Sequence, residues 1–177
     1  MDRQELAKRI RNAAYLEGDF TLRSGRKSKY YLDKYLFETQ PDILRELGRL
    51  MAAHVAPTTT LIGGAELGGV PLAAATSLAC GKPYVILRNA KKEYGTAKPY
   101  EGKLSDSDRL LLVEDIATSG GQVLEAAAVV TRCGAKIERI VAVIDRQEGA
   151  RENIERAGYP FLSLFTSQDL GIHSSPT

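Results

Sequence analysis

The sequence predicts an α/β fold in which a central, mostly parallel sheet is flanked by helices. Short apolar segments recur through the second two-thirds of the chain, and helical or glycine-rich segments separate them. Strands that are apolar along their whole length are typical of parallel sheets covered on both faces. A chain of 177 residues with 44% hydrophobic side chains can bury the core of one domain. Because no repeat or linker is visible, we predict a single domain over residues 1–177.

Two helices are predicted before the first strand of this sheet. Apolar residues of the first recur at helical spacing, namely Leu6, Ile10, Ala13 and Ala14. We expect Gly18 to end this helix. The second begins at Pro41 and carries one stripe, formed by Leu44, Leu47, Met51 and His54. His54 is expected to be a half-buried helix residue rather than a ligand.

Strands and helices then alternate. The predicted strands are Leu61–Ile62, Tyr84–Leu87, Leu110–Val113, Ile140–Ile144 and Phe161–Leu164. A helix is predicted from about Val70 to Cys80. A second follows the turn after Leu110–Val113 and ends near Gly134, and a third begins near Ala150. Ligands of such sheets bind beyond the carboxyl ends of the strands, so the residues that follow each strand are the candidates for chemistry.

The composition argues against several classes of partner. A net charge of +2 is too small to indicate nucleic acid or an acidic membrane surface. No apolar run approaches the roughly 18 residues of a membrane span, and the N-terminus is polar. Cys80 and Cys133 are expected to be reduced thiols in the core. We therefore expect a cytoplasmic enzyme without a membrane or nucleic-acid partner.

Two adjacent acids, Glu114 and Asp115, follow the most apolar predicted strand. A Thr-Ser-Gly-Gly turn at residues 118–121 comes next and leads into a predicted helix. Carboxylates in such a place need donors, which sugar hydroxyls supply, or a cation. Hydroxyl groups, glycines and a helix N-terminus together bind anions. The pattern indicates a pocket for a ribose 5-phosphate; an acidic strand end with an ordinary capped turn is the alternative.

The string V-E-D-I-A-T-S-G-G at residues 113–121 closely resembles the motif of type I phosphoribosyltransferases that binds phosphoribosyl pyrophosphate (PRPP). The resemblance implies that Glu114 and Asp115 hold the ribose 2- and 3-hydroxyl groups, while residues 117–121 bind the 5-phosphate. Family members carry Mg²⁺ mainly on PRPP itself, so we expect this cofactor to have few or no protein ligands. The implied PRPP contacts of this segment are Glu114, Asp115, Ile116, Ala117, Thr118, Ser119, Gly120, Gly121 and Gln122.

A second glycine-rich turn, residues 63–71, also follows a strand and precedes a helix. Its glycines would let backbone amides approach a diphosphate, although a tight strand-to-helix turn would look the same. It resembles the pyrophosphate loop of the same superfamily.

The polar segment between Arg88 and Lys103 is either a solvated surface loop or a basic lid over departing pyrophosphate. Residues 88–96, with Glu101-Gly102 after them, resemble the catalytic loop of orotate phosphoribosyltransferases. That loop reaches into the active site of the partner subunit, which implies a homodimer, and Arg88, Lys92 and Tyr94 would contact PRPP. Asn89 stands where many relatives have a second lysine, and Tyr94 where many have histidine.

Arg146, which follows the predicted strand Ile140–Ile144, is the candidate for binding a carboxylate substrate. Its guanidinium could grip a carboxylate through two hydrogen bonds, or it could pair with Asp145 or Glu148. Residues 145–149 resemble the orotate-binding signature, in which Arg146 and Thr118 bind orotate. Residues 20–33 also resemble the family, which implies orotate contacts for two further residues, Arg23 and Tyr31.

These resemblances identify the chain as a member of the orotate phosphoribosyltransferase family. They imply a type I phosphoribosyltransferase fold with a small N-terminal hood at about residues 1–40 and a mobile catalytic loop at about residues 89–102. The implied reaction transfers ribose 5-phosphate from PRPP to orotate, in de novo pyrimidine biosynthesis, with Lys92, Asp115 and Arg88 as catalytic residues. Alternatives are a phosphoribosyltransferase for a purine or uracil, and a PRPP-sensing regulator that binds nucleic acid. A generic nucleotide-binding module would require a glycine pattern that the sequence lacks.

Overall fold

The computed structural model describes residues 1–21, 25, 27–89 and 98–172. Its helices are α1 (Arg3–Ala14), α2 (Lys34–Glu38), α3 (Pro41–Ala52), α4 (Gly69–Cys80), α5 (Gly121–Arg132) and α6 (Ala150–Arg156). Its strands are β1 (Tyr15–Thr21), β2 (Lys27–Leu32), β3 (Leu61–Ala65), β4 (Tyr84–Leu87), β5 (Tyr100–Glu101), β6 (Arg109–Ala117), β7 (Lys136–Asp145) and β8 (Phe161–Thr166). No helix in this part of the chain is long and apolar enough to cross a membrane.

The central sheet has six strands in the order β5-β4-β3-β6-β7-β8. All neighbours are parallel except β5, which pairs antiparallel with β4. The predicted α/β class with a mostly parallel sheet is therefore confirmed. Strands β1 and β2 form a separate antiparallel hairpin.

Alternate residues of the central strand β6 enter two different cores. Leu111 and Val113 pack with residues of α1, α3 and α4, while Leu110 and Leu112 pack with residues of α5 and α6. Successive side chains of a strand point to opposite faces, so a strand that is apolar at every position needs cover on both sides. The unbroken apolar run in the sequence is explained by this double burial.

The first helix ends earlier than the sequence suggested. It stops at Ala14, not at Gly18, because the chain already pairs as β1 from Tyr15 onwards. The pairing joins Tyr15 to Leu32 and Leu16 to Tyr31. Helical spacing alone could not reveal this competing partner, which comes from later in the chain.

Two further boundaries differ from the prediction, and one strand was not predicted. The half-buried His54 lies just beyond α3 rather than within it. Strand β6 continues to Ala117 because β7 pairs with it as far as Asp145, so the two acids lie inside the strand rather than after it. The short strand β5 was not predicted, and it occupies part of the polar segment that follows Arg88.

The contact between α3 and α4 leaves no space at Gly48. A Cβ atom there would lie 2.7 Å from the backbone carbonyl of Ala75, which cannot move like a side-chain tip. We predict that Gly48→Ala lowers the free energy of unfolding by about 1–3 kcal/mol, measured by urea denaturation. The helical control Gly121→Ala should be neutral or slightly stabilising, because the nearest atom to its Cβ lies at 3.7 Å. Equal stability of Gly48→Ala and wild type would refute this account of the contact.

Candidate functional site

The carboxyl ends of β6 and β7 open into one cavity that also borders the end of β2 and the start of α5. Its volume is about 960 Å³. Parallel α/β sheets bind their ligands at this edge. The residues that line the cavity are Tyr31, Leu32, Lys34, residues 114–123, Arg146 and Glu148.

The two acids near the end of β6 are buried. Glu114 is 5% exposed and Asp115 is 3% exposed. The N–H of Ile116 donates to Oδ1 of Asp115, and Nζ of Lys34 lies 2.7 Å from Oδ2. A carboxylate has about four lone-pair positions, so Asp115 can accept hydroxyl groups in addition.

The turn after β6 presents donors at the cavity. Thr118 and Ser119 are exposed, and the following Gly120 has a φ of 80°, a conformation that favours glycine. Helix α5 begins directly afterwards without a side-chain cap, which leaves its first amides available to an anion. The amide of Asn153 donates to the carbonyl oxygen of Ser119 at 2.9 Å and so ties the turn to α6.

The second glycine-rich turn brings the start of α4 against the end of β3. A Cβ atom on Gly64 would lie 2.2 Å from the carbonyl oxygen of Gly69, so this close return requires glycine. Within the turn, Glu66 accepts from Asn89 twice: the Asn89 N–H donates to Oε1 at 2.8 Å, and its side-chain amide donates to the Glu66 carbonyl. Asn89, two residues beyond the end of β4, is thus hydrogen-bonded to the turn.

Arg146 lies at the end of β7 and borders the cavity. Its Nη2 atom donates to the Tyr30 hydroxyl at 3.1 Å and lies 2.9 Å from Oε1 of Glu148. The Tyr30 ring lies under the guanidinium and stacks on Tyr15, with 5.6 Å between ring centroids. The Nε atom of Arg146 is buried without a hydrogen-bond partner. The Nη2 atom of the arginine is therefore engaged, whereas its Nε–H has no acceptor.

Tyr31 borders the same cavity with a flat apolar surface. Its side chain is 44% exposed, and its ring lies 5.6 Å from that of Phe20, centroid to centroid. The hairpin thus contributes an aromatic ring to the cavity that Arg146 also lines.

Of the remaining predicted site residues, only Arg88 is described by the structure. Arg88 is not among the residues that line the cavity; its Nη1 atom lies 3.4 Å from Oε1 of Glu101. Arg23, Lys92 and Tyr94 fall outside the described residues.

Comparisons with known proteins agree with this architecture. A family model described as "Phosphoribosyl transferase domain" matches residues 36–159. The orotate phosphoribosyltransferase of Halobacterium salinarum is 46% identical over 153 residues, which is 86% of this chain and 87% of that protein. The orotate phosphoribosyltransferase of Methanosarcina acetivorans is 45% identical over 154 residues, covering 86% of this chain and 82% of the relative.

This chain belongs to the orotate phosphoribosyltransferase family. A crystal structure of the orotate phosphoribosyltransferase of Mycobacterium tuberculosis in complex with Fe(III) dicitrate superposes with a TM-score of 0.87 at 33% identity, covering 97% of this chain and 99% of that one. A second structure of that enzyme, in complex with PRPP, gives a TM-score of 0.82 at 33% identity with the same coverage. The type I phosphoribosyltransferase fold is therefore established, and members of this family are glycosyltransferases.

Sequence reasoning missed two residues of this family member, Lys34 and Glu38. Both belong to α2, and Glu38 is 1% exposed, with neither carboxyl oxygen hydrogen-bonded. A signal was present: charges four positions apart within Y-L-D-K-Y-L-F-E, a string whose other members are mostly apolar.

Burial changes the charge state of this group of acids. Burial raises the pKa of Glu38 to about 9, and the nearby Asp115 carboxylate adds to this while Lys34 opposes it. Burial and Asp115 likewise raise the pKa of Glu114. For Lys34, burial acts to lower the pKa, but the ion pair with Asp115 outweighs it and the pKa is raised. Near neutral pH the site therefore contains one ion pair and protonated neighbouring acids.

We predict a pH-dependent gain in stability for Glu38→Gln. The folded protein keeps a proton on Glu38 up to a pKa of about 9, whereas the unfolded chain loses it near the ordinary value of 4.5. Stability of the wild type therefore falls as pH rises through this window, and glutamine removes that slope. The variant should gain on the wild type by up to about 1.4 kcal/mol per pH unit.

The measurement is urea unfolding at about pH 5, 7 and 8.5. Glu125→Gln, at an exposed position of α5, is the matched control and should follow the wild type at every pH. A difference between Glu38→Gln and wild type that stayed constant with pH would show that the raised pKa is wrong.

Proposed function

We propose that this protein transfers ribose 5-phosphate from PRPP to orotate, giving orotidine 5'-monophosphate and pyrophosphate in the de novo synthesis of pyrimidine nucleotides. One observation carries the proposal: a single cavity joins the acids Glu114 and Asp115, the turn that precedes α5, and Arg146. These groups suit a sugar, a phosphate and a carboxylate respectively. The substrate that unites all three recognition groups is a phosphorylated ribose together with an acidic base.

The sugar phosphate would occupy the sheet edge. Glu114 and Asp115 would accept hydrogen bonds from the 2- and 3-hydroxyl groups of ribose. The 5-phosphate would accept hydrogen bonds from the backbone amides of residues 117–121. It would also accept them from the hydroxyl groups of Thr118 and Ser119, which are exposed at the cavity. Ile116, Gly120, Gly121 and Gln122 complete the proposed PRPP contacts.

Orotate would lie between this turn and the hairpin. Its carboxylate would pair with Arg146, whose Nε atom has no other partner, and Thr118 would add a hydroxyl group. Tyr31 would cover the flat face of the base, and Arg23 would contact orotate or PRPP. The neutral bases of the alternative reactions lack a carboxylate, so Arg146 would be left unpaired by a purine or by uracil.

In the proposed reaction, N1 of orotate gives up its proton, ultimately to the released pyrophosphate, and forms a bond to C1 of the ribose while the bond from C1 to pyrophosphate breaks. Positive charge develops on the sugar, and Asp115 fixes the ring. The leaving pyrophosphate takes the electron pair, and Arg88, Lys92 and Tyr94 would bind it as a lid. Fixed charges aimed at such developing charge typically lower the activation barrier by several kcal/mol.

Magnesium would reach this site bound to PRPP. Among the described residues, no three His, Cys, Asp or Glu side chains come close enough together to hold a metal ion. The phosphate oxygens of PRPP suit Mg²⁺, which usually keeps several waters and takes few protein ligands. When bound, the ion would neutralise charge on the pyrophosphate.

The proposal extends to the assembly and its setting. We propose one phosphoribosyltransferase domain with a hood at residues 1–40, and a homodimer in which the loop at residues 89–102 acts on the partner's site. A cytoplasmic location suits this reaction, because highly charged PRPP does not cross a bilayer unaided. The chain's balanced charge gives no support to a nucleic-acid-binding regulator.

We predict that only orotate, in a panel with uracil, hypoxanthine and adenine, releases pyrophosphate from PRPP in the presence of Mg²⁺. In Arg146→Met, KM for orotate should rise about 10- to 100-fold, because a charged hydrogen bond typically contributes 1.5–3 kcal/mol. Arg132→Met, at an exposed position in the last turn of α5, is the control and should leave KM unchanged. Reaction with a neutral base but not with orotate would exclude the proposed function.

We predict that Lys92→Ala lowers turnover by about 10²- to 10³-fold while the circular dichroism spectrum is preserved. Mixing this inactive variant with inactive Asp115→Asn should restore partial activity, because in a mixed dimer one site combines an intact loop with an intact ribose site. Full turnover of Lys92→Ala would disprove the lid role. A mixture that exchanges subunits yet stays inactive would disprove sharing between subunits.

A further inference from the structure

Glu38 is an unusual residue within the fold. It is 1% exposed, its two oxygens have no hydrogen-bond partner, and it belongs to a short helix that precedes the central sheet. A buried carboxyl group without a partner lowers stability, by roughly 1–3 kcal/mol for an unsatisfied polar group. A residue with this disadvantage and no packing role that requires a carboxyl group points to a function.

The position of Glu38 relates it to the ribose site. A Cβ atom built on Gly68 would lie 1.8 Å from Oδ2 of Asp115 and 3.2 Å from Oε1 of Glu38. Both carboxyl groups thus lie against the same face of one glycine. Because Gly68 has no side chain, Glu38 can lie close to Asp115, the acid assigned to the sugar hydroxyl groups.

Lys34 belongs to α2, as Glu38 does, and forms an ion pair with Asp115. Its ammonium lies 2.7 Å from Oδ2 of Asp115, and its side chain borders the cavity and is 24% exposed. Lys34 and Glu38 are four residues apart, the spacing at which side chains of one helix come together. Within the described part of the chain, Asp115 forms an ion pair only with Lys34, and Glu38 and Glu114 form none.

We propose that Lys34 and Glu38 are positioning residues for the ribose site: Lys34 holds Asp115 in the sugar-free protein and turns to Glu38 when hydroxyl groups occupy Asp115. The proposal rests on the proposed function, since it concerns the acid that would bind PRPP. It explains both the ion pair and the acid without a partner. Glu38 has no hydrogen-bond partner because Lys34, the nearby cation, is paired with Asp115.

Before PRPP binds, the site carries no net charge, because Lys34 offsets Asp115 and Glu38 keeps its proton. Without Lys34, Asp115 would be a buried anion facing a ligand that carries several negative charges. Without Glu38, the ammonium would have no second acceptor and would compete with the hydroxyl groups for the same oxygen. Loss of either residue should therefore weaken the binding of PRPP and leave the binding of orotate unchanged.

The experiment is a double-mutant cycle with Lys34→Met, Glu38→Gln and the double variant, assayed for kcat and for KM of each substrate. We expect KM for PRPP to rise about tenfold or more in Lys34→Met, a factor that corresponds to the loss of one charge-assisted contact. Glu38→Gln should raise KM for PRPP severalfold, and the double variant should be no worse than Lys34→Met. In all three, KM for orotate should stay within about twofold of the wild type.

Lys34→Arg and Lys136→Met serve as the matched comparisons. Arginine keeps the charge and should restore part of the affinity for PRPP, whereas methionine at the exposed Lys136, at the start of β7, should have no effect. If Lys34→Met folds poorly, the proposal is decided by Glu38→Gln, which removes a buried acid and should fold at least as well as the wild type.

Three results would overturn the proposal. KM for PRPP could be unchanged in Glu38→Gln, the two substitutions could act independently, or both substrates could be affected equally, as expected from a purely structural role. A wild type that shows no orotate-dependent release of pyrophosphate would instead contradict the proposed function.

Discussion

The burial of two adjacent acids at the end of β6 is the constraint on which the rest of the site depends. A carboxyl group removed from water must be protonated or paired with a cation. Both solutions occur here, because Glu114 has a raised pKa and Asp115 is paired with Lys34. The acids can lie so deep because β6 is a central strand of the sheet, with β3 on one side and β7 on the other.

The N-terminal segment and the sheet contribute different halves of the cavity. The sheet edge, with the turn that leads into α5, supplies the acids and amides that suit a sugar phosphate. The hairpin of β1 and β2 supplies Tyr31 and holds Arg146 through the Tyr30 hydroxyl. Helix α2 then brings Lys34 across to Asp115.

One departure from the expected family pattern, Asn89, has a clear structural role. Asn89, where many relatives have lysine, gives up a positive charge and instead donates two hydrogen bonds to Glu66 in the second glycine-rich turn. The side-chain amide of Gln122 lies 3.4 Å from the carbonyl oxygen of Glu66. The Asn89 amide thus connects the end of β4 to the turn between β3 and α4, and the Gln122 amide connects that turn to α5.

By itself, the sequence determined the fold class, the parallel strands and the cradle at the carboxyl end of β6. Apolar runs and the residues after them are local signals, and the V-E-D-I-A-T-S-G-G string is specific for its superfamily. Tertiary structure alone decided where α1 ends, the length of β6 and the presence of Lys34 and Glu38 beside Asp115. These features depend on pairing with other segments of the chain: β2 for β1, β7 for β6, and α2 for Asp115. Local periodicity contains no information about such pairings, because the free energy that favours them arises only when distant segments meet.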